Sequence, residues 1–416
     1  MGEDPDAIGV FTMSFIVALL FTMSGLLFAL FAGVGSAFHI DWFLFGLYFH
    51  IDFIGKMFLI FSSLVWLMSA LYSYGSITTH QKRYWFWFIA TFIGNYGLIL
   101  SYDAIGFYLF FSLMSLAAFG LVVHSQTVEA THAAFVYIKY AVVGEVVLFA
   151  AVLLSANHYG GVHFDLFTAA VHPVALWLFL IGFGIKSGVI ALHYWLPLAH
   201  GNAPVAASAV LSGVMLKAGI LGLIRYLPFG QEMEVLGGMA LCTLGVIGIY
   251  AGVYGIFKDK IKVVLAYSSI AQMGYIITLL GVGLLEPGLW DTIAAAIVFF
   301  SLHHAINKSA LFLLSGEVMK NGLLTHYMIL GSVFALSLVG VGYTSGSVAK
   351  QMLLAPLSES SLLFLLLGPS MIVTALLMFK VYWLSRKIPQ KTFIGRQALY
   401  ILYPMAVMSL LLFAVV

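Results

Sequence analysis

The middle of the chain is an apolar stretch interrupted by two lysines and by several glycines and prolines. Residues 182–219 read GFGIKSGVIALHYWLPLAHGNAPVAASAVLSGVMLKAG. Lys186 and Lys217 therefore stand inside segments that are otherwise apolar enough for the core of a lipid bilayer. A charge at the bilayer centre costs roughly 2.5 to 3.5 kcal/mol even on the most lenient insertion scale. We therefore expect both lysines to face a polar interior and not lipid.

The same pattern recurs along the whole chain. Further charged side chains stand in long apolar runs, namely Lys139, Glu145, Lys308 and Lys350. Because so many charges would be too costly against lipid, we expect them to face one another, water or a polar seam inside a helix bundle. Such a set predicts a protein that moves protons or small cations.

The composition indicates a single integral membrane domain over residues 1–416. The chain is 62% hydrophobic and 8% charged, and its mean hydropathy is +1.07. Cys242 is the only cysteine, which argues against disulfides, Cys-ligated iron–sulfur clusters and Cys-rich zinc sites. The formal charge of +2 gives no sign of a nucleic-acid partner, and we expect the protein to contact lipids.

Apolar runs between polar breaks predict an all-α polytopic protein with about 13 transmembrane helices, since each crossing needs about 20 apolar residues. The expected spans are 8–32, 53–75, 84–101, 104–123, 133–156, 173–198, 203–226, 234–255, 262–284, 289–316, 323–358, 361–384 and 397–416. The eleventh is too long for one straight crossing, so we expect a break inside it.

The distribution of basic residues predicts a cytoplasmic N-terminus and an external C-terminus. With this orientation the inside loops hold most of them: Lys82, Arg83, Lys258, Lys260, Lys262, Lys320, Arg386, Lys387, Lys391 and Arg396. The main exception on the outside is Arg225. Lys and Arg bias in short loops sets the orientation of membrane proteins. The acidic residues 1–7 favour a retained first helix over a cleaved signal peptide.

Two spans are expected to be broken, one around Lys186 and one around Lys350, because glycines accompany the charge in both. Gly-interrupted spans at corresponding positions of two halves point to the working site of a transporter. Lys350 follows Lys186 by 164 residues, and Lys380 follows Lys217 by 163. This spacing predicts two inverted five-helix repeats, 84–226 and 234–385. Coincidence is the alternative explanation.

Three motifs resemble the antiporter-like membrane subunits shared by respiratory complex I, Mrp-type cation/proton antiporters and energy-converting hydrogenases. They are the stretch at 182–219, KVVLAYSSIAQMGY at 262–275 and HAINKSALFLLSG at 304–316. The sequence LSGVMLK at 211–217 is most similar to the formate-hydrogenlyase and hydrogenase-4 branch of this family. The resemblance covers about residues 50–385, and it implies a multi-pass protein of the inner (plasma) membrane of a prokaryote.

In that family a central chain of lysines, histidines and a glutamate is thought to pass protons. The resemblance implies that Lys186 belongs to the first broken helix and Lys217 to the next one. It makes His304 and Lys308 the midline relay, and Lys350 the exit-side residue of the second broken helix. Buried lysines exchange protons more readily than lysines in water. The alternative for each is that its ammonium group merely reaches an interface.

The departures from the family pattern concern an acid and a proline pair. The family carries a glutamate in a Phe-Glu-Leu-Met-Ser context, where this chain reads FFSLMS at 110–115. We expect Glu145, one helix later, to replace that acid as the partner of Lys186. The alternative is that Glu145 neutralises Lys139 or the next helix. The Pro-Pro of the second broken helix is replaced by Tyr343-Thr344, which weakens the expectation of a break there.

The resemblance implies a proton-conducting subunit, or a variant with Na+/H+ antiport, of a multi-subunit energy-converting complex with other membrane subunits as partners. Such a chain would have no catalytic site of its own within an NADH dehydrogenase-like or hydrogenase-like assembly. The alternatives are a cation/proton antiporter module without a redox partner and a structural subunit that has lost conduction. Secondary candidates for the path are Lys139, His193 and His303. No metal or cofactor is expected, because the histidines lack ligand spacing.

Overall fold

The computed structural model describes residues 5–43, 46–169, 172–357, 361–391 and 396–412, and these are mostly helical. The first ten helices are α1 (Pro5–Phe31), α2 (Phe53–Ser76), α3 (Gln81–Leu100), α4 (Ala104–Val122), α5 (Val128–Tyr159), α6 (Phe164–Ala169), α7 (Pro173–Ser187), α8 (Trp195–Asn202), α9 (Val205–Val210) and α10 (Leu216–Tyr226). The others are α11 (Val235–Ala251), α12 (Ile261–Leu285), α13 (Trp290–Asn321), α14 (Thr325–Val339), α15 (Ser345–Leu354), α16 (Leu362–Leu367), α17 (Met371–Arg386) and α18 (Arg396–Leu411).

Short irregular helices complete the described chain. A π-helix, Leu211–Met215, joins α9 to α10, and 3-10 helices cover Gly252–Phe257 and Pro287–Leu289. Some residues named in the sequence analysis lie outside the described part. They are residues 1–4 of the acidic N-terminal stretch, residues 413–416 of the last expected span and, for its side chain, Arg396.

A two-stranded hairpin between α1 and α2 is an addition to the all-α expectation. Strand β1 (Ala37–Ile40) pairs antiparallel with β2 (Leu47–His50). An isolated bridge from Phe49 to Ser101 joins the hairpin to the end of α3. Strands of four residues are too short to produce a recognisable alternation of apolar and polar residues, which is why the sequence pattern does not predict them.

Side-chain caps fix where several helices begin. The carboxylates of Asp52 and Asp103 accept hydrogen bonds from backbone N–H groups in the first turns of α2 and α4. The hydroxyl of Thr127 does the same for α5. Each cap satisfies one of the backbone donors that the first turn of a helix leaves free. Helices α2 and α4 therefore start at the expected span boundaries, whereas α5 starts five residues before the expected 133.

The described helices form a polytopic membrane bundle. Nine helices in the described part of the chain are long and apolar enough to cross a membrane, and shorter apolar helices cover 173–187, 325–339 and 398–411. The span Val205–Tyr226 is wholly buried and Ile261–Leu285 nearly so, so α10 and α12 lie at the centre. Every expected span coincides with a helix or with a broken helix, while the number of crossings stays a prediction.

Both expected helix breaks are confirmed. Helix α7 ends before Gly188, whose φ is +71°, and α8 begins only at Trp195. Helix α14 ends at Val339, after which Gly340 has a φ of +85°, and α15 begins at Ser345. Glycine adopts this left-handed conformation without the steric cost that other residues meet. The second helix is therefore broken even though this chain lacks the family's proline pair.

Arg225, the main exception to the charge distribution, has its charge neutralised within the chain. Its Nη1 and Nη2 donate to Oδ2 and Oδ1 of Asp52, both at 2.6 Å. Asp52 also accepts from the backbone N–H of Gly55 at 2.8 Å. Two parallel charge-assisted hydrogen bonds of this kind are strong and directional. The pair ties the end of α10 to the start of α2.

We expect Asp52→Asn to lower the unfolding temperature of the purified protein, because Arg225, which is 6% exposed, would lose its counter-charge. Breaking a fully buried pair costs about 3–5 kcal/mol. Asp52 is 25% exposed, so we expect about 2 kcal/mol here. The exposed Glu232→Gln change is the control, and equal unfolding temperatures for all three proteins would contradict the prediction.

The effect of Asp52→Asn should also depend on pH. Burial acts to raise the pKa of Asp52, but the hydrogen bonds and charge of Arg225 outweigh burial and leave this pKa below its usual 3.8. A lowered folded-state pKa stabilises the protein above the unfolded value, and this contribution is lost as the pH falls through the folded value. The difference in unfolding temperature between wild type and Asp52→Asn should therefore persist at pH 7 and shrink as the pH falls below about 3.9, the unfolded value.

Candidate functional site

Lys186 lies in a polar cluster between α4, α5 and α7. It belongs to the last turn of α7, and its Nζ donates to Ser115 Oγ at 3.0 Å and to the Tyr137 hydroxyl at 3.3 Å. The same Nζ lies 5.7 Å from the ring centroid of Phe111. The ammonium group is thus surrounded by hydroxyl and aromatic groups and does not face lipid.

Glu145 joins this cluster from α5. It is 7% exposed, and it accepts a short hydrogen bond from the hydroxyl of Ser112. Its carboxylate also contacts Ser115 and lies within electrostatic range of Lys186. Ser115 therefore stands between the acid and the ammonium group. The Glu145 carboxylate touches the serine that occupies the position of the family's glutamate.

Lys217 lies at the centre of the bundle, immediately after the π-helix. Its Nζ donates to the carbonyl oxygen of Ser212 at 2.7 Å and lies 2.5 Å from Nδ1 of His304. A π-helix shifts the register of backbone bonding by one residue and is frequent at functional sites. Here a carbonyl of the Leu211–Met215 segment meets an ammonium group.

Lys308 continues the row one turn further along α13. His304 and Lys308 are four residues apart, so their side chains lie on the same face of the helix. Lys308 Nζ donates to the carbonyl oxygen of Leu265 at 3.0 Å and makes a short hydrogen bond to the hydroxyl of Ser268. Lys217, His304 and Lys308 thus form a buried row between α10, α12 and α13, in which Lys217 contacts His304 and Lys308 lies within electrostatic range of both.

His303 faces away from that row into a network of hydroxyl groups. Its Nδ1 lies 2.8 Å from Ser345 Oγ, which is 3.0 Å from Ser337 Oγ. Ser409 Oγ donates to the side-chain oxygen of Asn307 at 2.8 Å and lies 3.1 Å from Ser337 Oγ. The network connects α13 with α14, α15 and α18.

Lys350 lies at the second helix break. Its Nζ donates to the carbonyl oxygen of Val339 at 2.8 Å and lies 5.3 Å from the ring centroid of Tyr275. Val339 is the last residue of α14, so the ammonium group meets the negative end of that helix dipole. Lys186 belongs to the last turn of α7. In the sequence Lys186 stands before its helix break, on α7, whereas Lys350 stands after its break, on α15. The Lys350 ammonium group nevertheless reaches back to the end of α14, so both lysines lie at the end of the first half of a broken helix.

Two secondary candidates lie apart from these clusters. Lys139 is exposed on the outer face of α5, so the expectation that it faces the bundle interior is wrong. The exposed residues of α5 recur at helical spacing, and Lys139 falls on that stripe together with Phe135 and Val142. His193 is half-buried beside the first break and contacts the ring of Tyr267 at 6.3 Å between ring centroids.

Sequence reasoning missed His200. It is fully buried, stacks on Phe312 at 4.7 Å and lies within electrostatic range of Lys217, Lys262 and Lys308. The available signal was a histidine inside the motif at 182–219, but packing against an aromatic ring leaves no mark in the sequence.

A second missed residue is Glu317, near the end of α13. It is 6% exposed and accepts hydrogen bonds from Tyr72 at 2.9 Å and from Tyr327 and Asn321 at 3.3 Å. Its position close to a span end makes it resemble an ordinary boundary residue in the sequence.

In the described part of the chain, no group of three His, Cys, Asp or Glu residues could hold a metal ion.

The helical bundle with two broken helices and a buried row of lysines and histidines defines a class of membrane subunits. The chain belongs to the NADH:quinone oxidoreductase/Mrp antiporter transmembrane family, which matches residues 101–377. The resemblance seen in the sequence motifs is thereby confirmed.

Individual relatives agree with this assignment. The chain is 33% identical over 255 residues to hydrogenase-4 component B of Escherichia coli, covering 58% of this chain and 37% of that protein. It is 28% identical over 397 residues to NADH-quinone oxidoreductase subunit M of Rickettsia bellii, covering 88% of this chain and 78% of that one. The chain therefore spans just over a third of the hydrogenase-4 component.

The fold is shared with a solved assembly. A chain in the structure of the Mrp complex from a Dietzia species superposes with a TM-score of 0.84 at 21% identity, covering 97% of this chain and 89% of that chain. At this identity the match shows the fold.

Proposed function

We propose that this protein is a proton-conducting membrane subunit of a multi-subunit energy-converting complex. The observation that carries the proposal is the 2.5 Å contact between Lys217 Nζ and His304 Nδ1 in the buried centre of the bundle. One of the two atoms must donate and the other must accept, so a single proton lies between them. A lysine and a histidine that share a proton can pass it on.

Repulsion between neighbouring ammonium groups would help a proton move along the row. Lys217 and Lys308 lie within electrostatic range of each other, and neither forms an ion pair with an acid in the described part of the chain. Like charges in a medium of low dielectric repel strongly. A proton arriving on one lysine therefore favours departure of the proton from the other, as a relay requires.

The ends of the path are assigned to the two broken helices. Lys186 with Glu145 would exchange protons on one side, and Lys350 with the His303 hydroxyl network on the other. The family membership and the names of the relatives, a hydrogenase-4 component and a quinone oxidoreductase subunit, support an assembly with further membrane subunits. Its electron donor would lie in those partners.

We also propose that residues 84–226 and 234–385 are two inverted five-helix repeats. In both segments the broken helix is the fourth of five spans, after α3, α4 and α5 in the first and after α11, α12 and α13 in the second. This common order supports the proposal. The two helix breaks do not occupy equivalent positions relative to Lys186 and Lys350. The first break follows Lys186 in the sequence, and the second precedes Lys350.

We expect Lys186→Ala and Lys217→Ala each to abolish coupled proton movement while the complex remains assembled, because each removes a group that carries the proton. Proton uptake by proteoliposomes that contain the purified complex is the measurement. The control is Lys82→Ala, which removes an exposed charge in the first turn of α3. Pumping at the wild-type rate by the Lys186→Ala or the Lys217→Ala complex would contradict the proposed path.

We expect Glu145→Gln to reduce proton movement about tenfold or more, since one charge in a weakly screened site changes proton affinity by more than one pK unit. Adding Ser112→Glu to that variant should restore part of the rate, because the new carboxylate would lie in the same cluster. Glu129→Gln, at the exposed start of the same helix, is the matched control. Unchanged transport by Glu145→Gln would remove this residue from the path.

We propose that the N-terminus is cytoplasmic, the C-terminus external and the membrane the inner one of a prokaryote. The basic loops support this orientation. A Lys260→Cys variant should react in intact cells only with a thiol reagent that crosses the membrane. Native Cys242 is buried, so wild type supplies the background. Labelling of Lys260→Cys by an impermeant reagent from outside would reverse the orientation.

A further inference from the structure

A long apolar groove runs along the outer side of the bundle between α14 and α17, with the end of α13 as its floor. Its volume is about 540 Å³, and its walls include Leu314, Met328, Leu336, Met378 and Tyr382. From Met328 to Val339 it follows about three turns of α14, which is about 16 Å. One leaflet is about half of the roughly 30 Å hydrocarbon core, so the groove has the length of one leaflet.

The groove continues into a polar pocket at the end where α17 finishes. This rim pocket has a volume of about 520 Å³, is lined by Arg386, Lys387 and Gln390, and shares Tyr382 and two other wall residues with the groove. The Gln390 side chain donates to the carbonyl oxygen of Leu323 at 2.7 Å, which fixes one wall.

The cations of the rim pocket lie against aromatic rings, with Lys387 Nζ 3.3 Å from the ring centroid of Trp383 and the Arg386 guanidinium carbon 5.9 Å from that of Tyr382. Arg386 and Lys387 are exposed, and in the described part of the chain neither forms an ion pair with a carboxylate. Lys320, on the neighbouring end of α13, already lies 4.0 Å from Glu317. Two cations without a carboxylate partner, at the mouth of an apolar groove of leaflet length, match an anionic head group attached to an acyl chain.

We propose that this groove and rim pocket bind an anionic phospholipid, with an acyl chain between α14 and α17 and the phosphate at Arg386 and Lys387. Basic pockets between transmembrane helices attract such head groups. In the orientation proposed above, the lipid would belong to the cytoplasmic leaflet. A bound lipid would cover a groove that reaches to Val339, whose carbonyl oxygen holds Lys350.

The test compares retention of lipids by the purified full chain. After incubation in micelles with equal amounts of phosphatidylglycerol and phosphatidylcholine, native mass spectrometry counts the lipid of each kind that stays bound. We expect the anionic lipid to be preferred, by about fivefold for each basic residue of the rim. Arg386→Gln with Lys387→Gln should abolish the preference. Lys82→Gln with Lys260→Gln makes the same charge change on the same side and should leave it intact.

Ser332→Phe tests the groove, since Ser332 is exposed along its wall and a phenyl ring would fill it. This variant should lose both lipids, while Ser24→Phe on the exposed face of α1 should keep them. If Ser332→Phe does not accumulate, the exposed rim variants still decide. Equal retention of the two lipids by wild type, or an unchanged preference in the rim variant, would overturn the proposal.

A photo-crosslinking amino acid at position 332 identifies the occupant in native membranes. A phospholipid adduct with an anionic head group is the expected product. An adduct to another polypeptide, or to a zwitterionic lipid alone, would overturn the proposal. Neither result bears on proton conduction through the central row.

Discussion

The cost of placing a charge inside a membrane is the constraint on which the rest of this structure depends. Each central lysine escapes that cost by meeting a polar group from a neighbouring element. Lys186 has two hydroxyl groups, Lys217 a carbonyl and an imidazole, Lys308 a carbonyl and a hydroxyl, and Lys350 a carbonyl. None of these partners is an acid, so the ammonium groups are solvated without being fixed in permanent ion pairs.

Departures from regular helix provide several of the partners. An intact helix uses its own carbonyl groups, and inside a membrane irregular backbone is tolerated only where protein surrounds it. The break after Val339 frees the carbonyl that Lys350 meets, and the π-helix before α10 presents the carbonyl of Ser212 to Lys217. The helix ends also bring a partial negative charge close to the lysines. Backbone geometry thus does part of what acidic side chains would do elsewhere.

The spans, the two breaks and the central residues were predictable from local features of the sequence. These features are the length of each apolar run, the glycines within it and the charged residues that interrupt it. The motif at 182–219 was sufficient to place Lys186 and Lys217 in the interior. The outward position of Lys139 was not predictable, since one charge in an apolar run does not show which face of the helix is buried. His200 and the π-helix depend on contacts between distant segments, which no local pattern records. The hairpin between α1 and α2 is too short to have a pattern.

In this chain the acid near Lys186 stands on α5, whereas the family pattern places a glutamate on α4. In the sequence, Ser112 looks like the loss of a carboxylate that the family uses. In the structure, Glu145 extends from the adjacent helix and its carboxyl group contacts that serine, so an acidic side chain reaches this position from another element. The contact to Lys186 now passes through Ser115, which accepts from the lysine at 3.0 Å. Because Coulomb attraction falls with separation, Glu145 holds the ammonium group less firmly than a direct ion pair would. A hydroxyl group can donate and accept, so Ser115 can accept from Lys186 and donate to Glu145 at the same time. Ser115 thereby links the side chains of Lys186 and Glu145 although the two do not touch.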